Sequence, residues 1–151
     1  MLRDKLNAAL KEAMKAKDQI ALSTVRLILA ALKDRDIAAR SKGQQAGIPD
    51  EEILALLSNM IKQRRDSIAM YQQGNRPELA QRETDEIAVI ETFLPRQLDD
   101  EAIKRAIREA ASATGAKSIK ELGAVMAWLK QHYAGQMDFA RAAALAKQTL
   151  S

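Results

Sequence analysis

The chain has 151 residues, 47% of them apolar but only 3% aromatic, so its core must be built from aliphatic side chains, which suits packed helices better than sheets. It contains no cysteine, which excludes disulfides, thiolate nucleophiles and Cys-based zinc sites. The net charge of +4 is unevenly spread: residues 1–94 carry 15 Lys/Arg against 14 Asp/Glu, and residues 95–151 carry 9 against 6.

Leu2, Leu6, Leu10 and Met14 recur at helical spacing and predict a short first helix. Asp18 is placed to cap a second helix carrying Ile20, Leu22, Val25, Ile28, Leu29 and Leu32, a stripe wide enough to put it at the centre of a bundle. Residues 41–47 are a polar, Gly-bearing loop. Pro49 is expected to open a third helix, with Asp50, Glu51 and Glu52 facing the positive helix end and Ile53, Leu57, Met60, Ile61, Ile68 and Tyr71 on its apolar side. Gly74-Asn75 stops it. Asn75, with Glu78 three residues on, predicts the capping box of a fourth helix ending at Pro95.

The segment Leu94-Pro95-Arg96-Gln97-Leu98 is the best boundary in the chain. It separates a bundle of about four helices over residues 1–94 from a three-helix module over 95–151. Asp99 starts the fifth helix, which closes near Gly115. Ser118-Ile119-Lys120-Glu121 matches a capping box and opens a sixth helix with Leu122, Val125, Met126, Leu129 and Tyr133 on one face. Gly135 closes it, and Asp138 caps a last helix through Leu145 and Leu150. The whole reads as all-α. Its charged start, Met1-Leu2-Arg3-Asp4-Lys5, and the absence of any long apolar run lead us to expect a soluble cytoplasmic protein with no membrane partner.

Two stretches carry a recognisable signature. They are Ile87-Ala88-Val89-Ile90-Glu91-Thr92-Phe93-Leu94-Pro95-Arg96-Gln97-Leu98, and Glu121-Leu122-Gly123-Ala124-Val125-Met126 followed by Gly135 and Asp138. With Thr24-Val25-Arg26-Leu27 and Lys62-Gln63-Arg64-Arg65-Asp66-Ser67-Ile68, they make the chain resemble the YqeY-like family over nearly its whole length. The resemblance implies a helical N-terminal bundle and a C-terminal module similar to the tail of GatB, a subunit of the glutamine-dependent aminoacyl-tRNA amidotransferase. There the tail engages tRNA while a separate part of the subunit does the chemistry. One position departs: Ala124 stands where the family usually carries the lysine of Gly-Lys-Val-Met.

The residues themselves argue against independent catalysis. Amide-nitrogen transfer from glutamine needs an activated nucleophile beside a base and an oxyanion hole. No serine sits in a Gly/Ser-rich loop of the amidase type, and no Gly-rich phosphate loop of the Walker type is present. His132 is the one histidine, expected at the surface or at the core boundary of the sixth helix. The Asp50-Glu51-Glu52 and Asp99-Asp100-Glu101 clusters stand at helix starts, where capping is the preferred reading over metal binding. No catalytic residue, metal or cofactor is therefore assigned. The Lys62–Arg65 run is read as a solvated, ion-paired face, with Asp66 and Asp34–Asp36 as candidate partners.

The C-terminal module is where a polyanion is expected, because from Lys104 onward cations outnumber carboxylates 8 to 3. The candidate phosphate contacts are Lys117, Lys120, Lys130, Arg141 and Lys147. Trp128 is placed either to pack at the core edge or to stack on an exposed base. On the sixth helix Lys120, Ala124, Ala127 and Gln131 fall opposite the apolar stripe, a small-residue face flanked by lysines. Together with this charge, the resemblance to the GatB tail implies a non-catalytic tRNA-associated protein, binding tRNA or other structured RNA by shape and backbone. Its rivals are a protein–protein adaptor acting through the N-terminal bundle, and an accessory component of glutamine-dependent amidotransfer active only in complex.

Overall fold

In a computed structural model that describes residues 1–151, the chain forms seven α-helices and one 3-10 turn, with no strand. It divides into two compact units, Met1–Leu94 and Pro95–Ser151. No helix is long and apolar enough to cross a membrane.

The first unit holds α1 (Leu2–Ala16), α2 (Gln19–Ser41), α3 (Asp50–Gln73) and α4 (Pro77–Glu91). Between α1 and α2 the chain turns at Lys17, which takes a left-handed conformation, and Asp18 then accepts the Ala21 N–H at 3.1 Å. Pro49 is the N-cap of α3 rather than its first residue, and the three carboxylates of the first turn face the helix's positive end. The expected capping box at Asn75 does not form. Asn75 is spent on closing α3 in the left-handed region, φ 57°, and Pro77, with its fixed φ, sets the start of α4. Arg76 is the N-cap instead, its Nε donating to Glu78 Oε1 at 2.8 Å. The fourth helix ends at Glu91, short of Pro95.

The core of this unit is Leu6, Val25, Ile28, Leu32, Ile53, Leu57, Met60 and Ile90, with Phe93 closing one end. Met14, expected on the apolar stripe of α1, is 54% exposed. A strict four-residue spacing drifts around a 3.6-residue helix, so by the last turn Ala13 has replaced it in the core. Ile20, also expected inside, is 37% exposed. The second helix packs on α1, α4 and, less extensively, α3, and its outward side stays bare.

One polar latch ties three segments of this unit together. Both terminal nitrogens of Arg3 donate to the Asp36 carboxylate, and Nη2 also reaches the Ile48 carbonyl at 2.7 Å. The Ile48 N–H donates to Asp36 Oδ1 at 2.9 Å. The start of α1, the last third of α2 and the loop before α3 thus meet at one buried carboxylate. Gly47 lies against it: with φ +86°, a β-carbon there would fall on Asp36 and 2.8 Å from Arg3 Nη2.

The second unit holds α5 (Asp100–Thr114), a 3-10 turn (Ile119–Glu121), α6 (Leu122–His132) and α7 (Phe139–Leu150). Each helix packs on the other two around Ile103, Ile107, Val125, Leu129, Met137, Ala142 and Leu145. Asp99 caps α5 through the Ala102 N–H at 2.8 Å, and Asp138 caps α7 through the Ala140 N–H at 2.9 Å. Gly115 ends α5 at φ 72°. Ser118, expected to cap the sixth helix, makes no side-chain cap; the chain enters through the 3-10 turn, and Glu121 reaches back to the Lys117 N–H at 2.9 Å. Only the reciprocal half of a capping box is built, one residue further upstream.

Candidate nucleic-acid interface

Within the second unit, the end of the first signature stretch meets the Gly135 turn of the second. Gln97 donates from Nε2 to the Gly135 carbonyl at 2.6 Å and to the Pro95 carbonyl at 3.0 Å. The Leu98 N–H donates to the Gln136 carbonyl at 2.8 Å. That second bond is backbone to backbone, so it holds whatever side chain stands at 98, while the Gln97 bonds need an amide of that reach. Together they clamp the segment that enters α5 onto the turn between α6 and α7, which orients all three helices of the unit.

Charge on this unit is partitioned unequally between engaged and free groups. All six carboxylates are occupied. Asp99 and Asp138 cap helices, Asp100 holds Arg141, and Glu101 lies 3.5 Å from Lys104. Glu109 accepts the Tyr133 hydroxyl at 2.8 Å, and Glu121 accepts the Lys117 N–H. The bond to Glu109, with burial, pushes the Tyr133 hydroxyl above the ordinary tyrosine range. Of the cations, the side chains of Arg96, Arg105, Arg108, Lys117, Lys120, Lys130 and Lys147 have no carboxylate partner, and all seven are exposed.

The candidate residues from the sequence fall into distinct settings. Lys117 precedes the 3-10 turn, Lys120 lies within it rather than on the sixth helix where the periodicity placed it, and Lys130 stands in the last turn of α6. Gly123, Ala124 and Ala127 are exposed beside them, and a β-carbon at Gly123 would meet nothing within 4 Å, so no packing demand explains a glycine there. Arg141 is not a free cation. It holds Asp100 through two bonds of 3.3 and 2.7 Å, which pulls the Asp100 carboxyl below the usual carboxylate range. Lys147 is six residues further along α7, about 120° around the helix from Arg141, so the two do not share a face.

Trp128 is half-buried and packs against the core of this unit. Its ring is also stacked on His132, with centroids 3.9 Å apart and planes 17° from parallel, and His132 Nδ1 lies 2.9 Å from the Trp128 carbonyl. The stacked face is therefore closed to a nucleobase. His132 is exposed and lies at the boundary of the α6 stripe, where the periodicity places it.

Arg105 and Arg108 are absent from the candidates that the sequence suggests. They stand three residues apart on the side of α5 opposite Ile103, Ala106, Ile107 and Ala110, so they share one outward face. A signal for them exists: the same periodicity that assigns the apolar face of α5 assigns its polar one. The basic run on α3 goes the other way. Arg64 Nε donates to Glu86 Oε2 at 2.9 Å and lies 3.9 Å from Glu83, and Arg65 lies 3.9 Å from Glu91. These partners come from α4, not from the Asp34–Asp36 segment; Asp36 is taken by Arg3, and Asp66 lies 4.0 Å from Lys62 on its own helix. No group of three or more His, Asp or Glu is placed to hold a metal ion.

A four-helix first unit followed by a three-helix unit with a basic exterior defines a class of small, two-unit all-α protein. The chain belongs to the YqeY family, described as Yqey-like protein, whose model matches residues 3–150. It is similar to the altered inheritance of mitochondria protein 41 of Vanderwaltozyma polyspora, with 28% identity over 130 residues, 82% of this chain and 68% of that protein. The protein of the same name from Lachancea thermotolerans is 36% identical over 89 residues, covering 59% of this chain and 46% of that protein. That of Saccharomyces cerevisiae strain YJM789 is 28% identical over 131 residues, 82% of this chain and 69% of that protein.

Proposed function

We propose that this chain is a non-catalytic, tRNA-associated protein whose second unit holds structured RNA by its backbone. The observation that carries the reading is the charge partition: every carboxylate of residues 95–151 is engaged, while seven exposed cations have no carboxylate partner. Free cations on a small rigid unit bind phosphates and release counterions. Arg105 and Arg108 on α5, and Lys117, Lys120 and Lys130 around the start and end of α6, are the first contacts in this reading. Lys147 is a further one, and Arg141 joins them by exchanging Asp100 for a phosphate. Trp128 fixes the edge of the unit and leaves backbone contacts to do the binding. The compartment of action is one that holds tRNA. For this chain we place it in the cytoplasm, whereas the names of the relatives assign those proteins to mitochondria.

The test is binding of bulk tRNA to the purified chain across a salt series. With three to five phosphates neutralised, log affinity should fall against log salt with a slope of roughly −2 to −4. Replacing Arg105 and Arg108, or Lys120 and Lys130, by Glu should weaken binding about tenfold or more and flatten the slope, with helicity unchanged. Binding that ignores both salt and these substitutions overturns the proposal.

A further inference from the structure

On the side away from its core, the second helix carries a second line of residues whose large apolar members are Ile20, Leu27 and Ile37. Val25, Ile28, Leu32, Asp36 and Ala39 are buried. Opposite them run Ile20, Ser23, Leu27, Ala30, Asp34, Ile37 and Ser41, alternately three and four residues apart, which is heptad spacing. All but the half-buried Ser23 are exposed. Leu27 and Ile37 stand 50% and 51% exposed, and the line extends over about 32 Å of helix. A second row, Arg26, Lys33 and Arg40, follows one flank at the same heptad spacing. Arg26 and Lys33 have no carboxylate partner, and Arg40 Nε reaches the Gln45 carbonyl at 3.4 Å.

We infer that this face of α2 is a docking surface for an acidic amphipathic helix of a partner protein. The large residues Ile20, Leu27 and Ile37 alternate with the small Ser23 and Ala30, which lets knobs from a facing helix seat between them. The row of three cations selects a partner whose flank carries Glu or Asp. Asp34 sits within the line and, once covered, needs a Lys, Arg or amide opposite it, which fixes the register.

A second copy of the same chain does not meet these demands. Paired in parallel, the two Asp34 carboxylates would face each other. Paired antiparallel, the Arg26, Lys33 and Arg40 rows would face each other. Either arrangement sets like charges against each other. The inference stands independently of the RNA reading, which concerns residues 95–151.

The test uses a synthetic 21-residue helical peptide with Leu on its heptad seam, one Lys in the seam and Glu on both flanks. Its control has Lys in place of every flanking Glu. Fluorescence anisotropy with the full chain should show the acidic peptide binding at least about tenfold tighter than the control, more weakly as salt is raised. Leu27→Asp with Ile37→Asp should abolish binding, and Lys33→Glu should narrow the gap between the peptides. Both variants should keep the parent's helicity and melting temperature, because these side chains are exposed. No binding of the acidic peptide, equal binding of both peptides, or binding unaffected by Leu27→Asp with Ile37→Asp overturns the proposal. So does a concentration-dependent dimer of the free chain that Leu27→Asp dissociates, which would give the face to a second copy. So would loss of tRNA binding in the double variant, which would give it to RNA.

Discussion

At Asp36 three donors converge: two from the Arg3 guanidinium and one from the Ile48 N–H. The Arg3 bond is the main reason its carboxyl titrates below the ordinary carboxylate range; burial opposes that, and the Ile48 N–H adds to it. A carboxylate whose pKa is depressed on folding contributes stability that is fully present above its unfolded pKa, about 3.9. That contribution is lost as pH falls through the lower, folded value. Asp36→Asn should therefore destabilise the chain at neutral pH by about 2–4 kcal/mol, because Arg3 loses its charge partner beside a half-open site. The gap between variant and parent should close as pH falls below the carboxylate range. Urea unfolding at pH 7 and at the lowest pH where both remain folded measures it; a pH-independent gap would contradict the assignment. Nothing in the residue pattern announces this latch, because Arg3 and Asp36 are 33 residues apart and pair only once α1 lies on α2. The caps Asp18, Asp99 and Asp138 were legible for the opposite reason. Each bonds a backbone N–H two or three residues away, so local sequence decides it.

Among the helices, α3 and α4 make the most extensive pairing in the first unit, and an ionic cluster sits within it. Arg64, with 12% of its side chain exposed, holds Glu86 at 11%, and Arg82 reaches the same carboxylate at 3.4 Å. Burial, reinforced by the neighbouring Glu86, raises the pKa of Glu83. Removing one partner of such a pair strands the other, whereas replacing both by apolar groups can be nearly neutral. Arg64→Met should cost about 3–5 kcal/mol, and Arg64→Met with Glu86→Leu should recover most of that. Chemical denaturation of the parent and the two variants decides it; equal loss in both would contradict the pairing. The sequence shows both Arg64 and Glu86 as polar-face residues and carries no signal of which helices pair. Helix existence was legible from periodicity, while ends governed by Pro77 and by the 3-10 turn at Ile119–Glu121 were shifted. The outward line on α2 was not legible: of its residues only Ile20 stands in the stripe read from the sequence, and Leu27 and Ile37, separated by Ala30 and Asp34, form no continuous apolar run.

For the molecule as a whole, the proposed RNA binding belongs to residues 95–151 and draws on cations left over after local pairing. Charge imbalance was visible in the sequence; which cations remain free was not, because that depends on partners such as Asp100 for Arg141, 41 residues away. Amide hydrogen exchange of the full chain with and without saturating tRNA addresses the claim most directly. Slowed exchange should appear in the exposed turns of the second unit, at 96–98 and 115–121, and along α5 and α6. Exchange in α1–α4 should be unchanged. Protection confined to the first unit, with residues 95–151 unaffected, would contradict it.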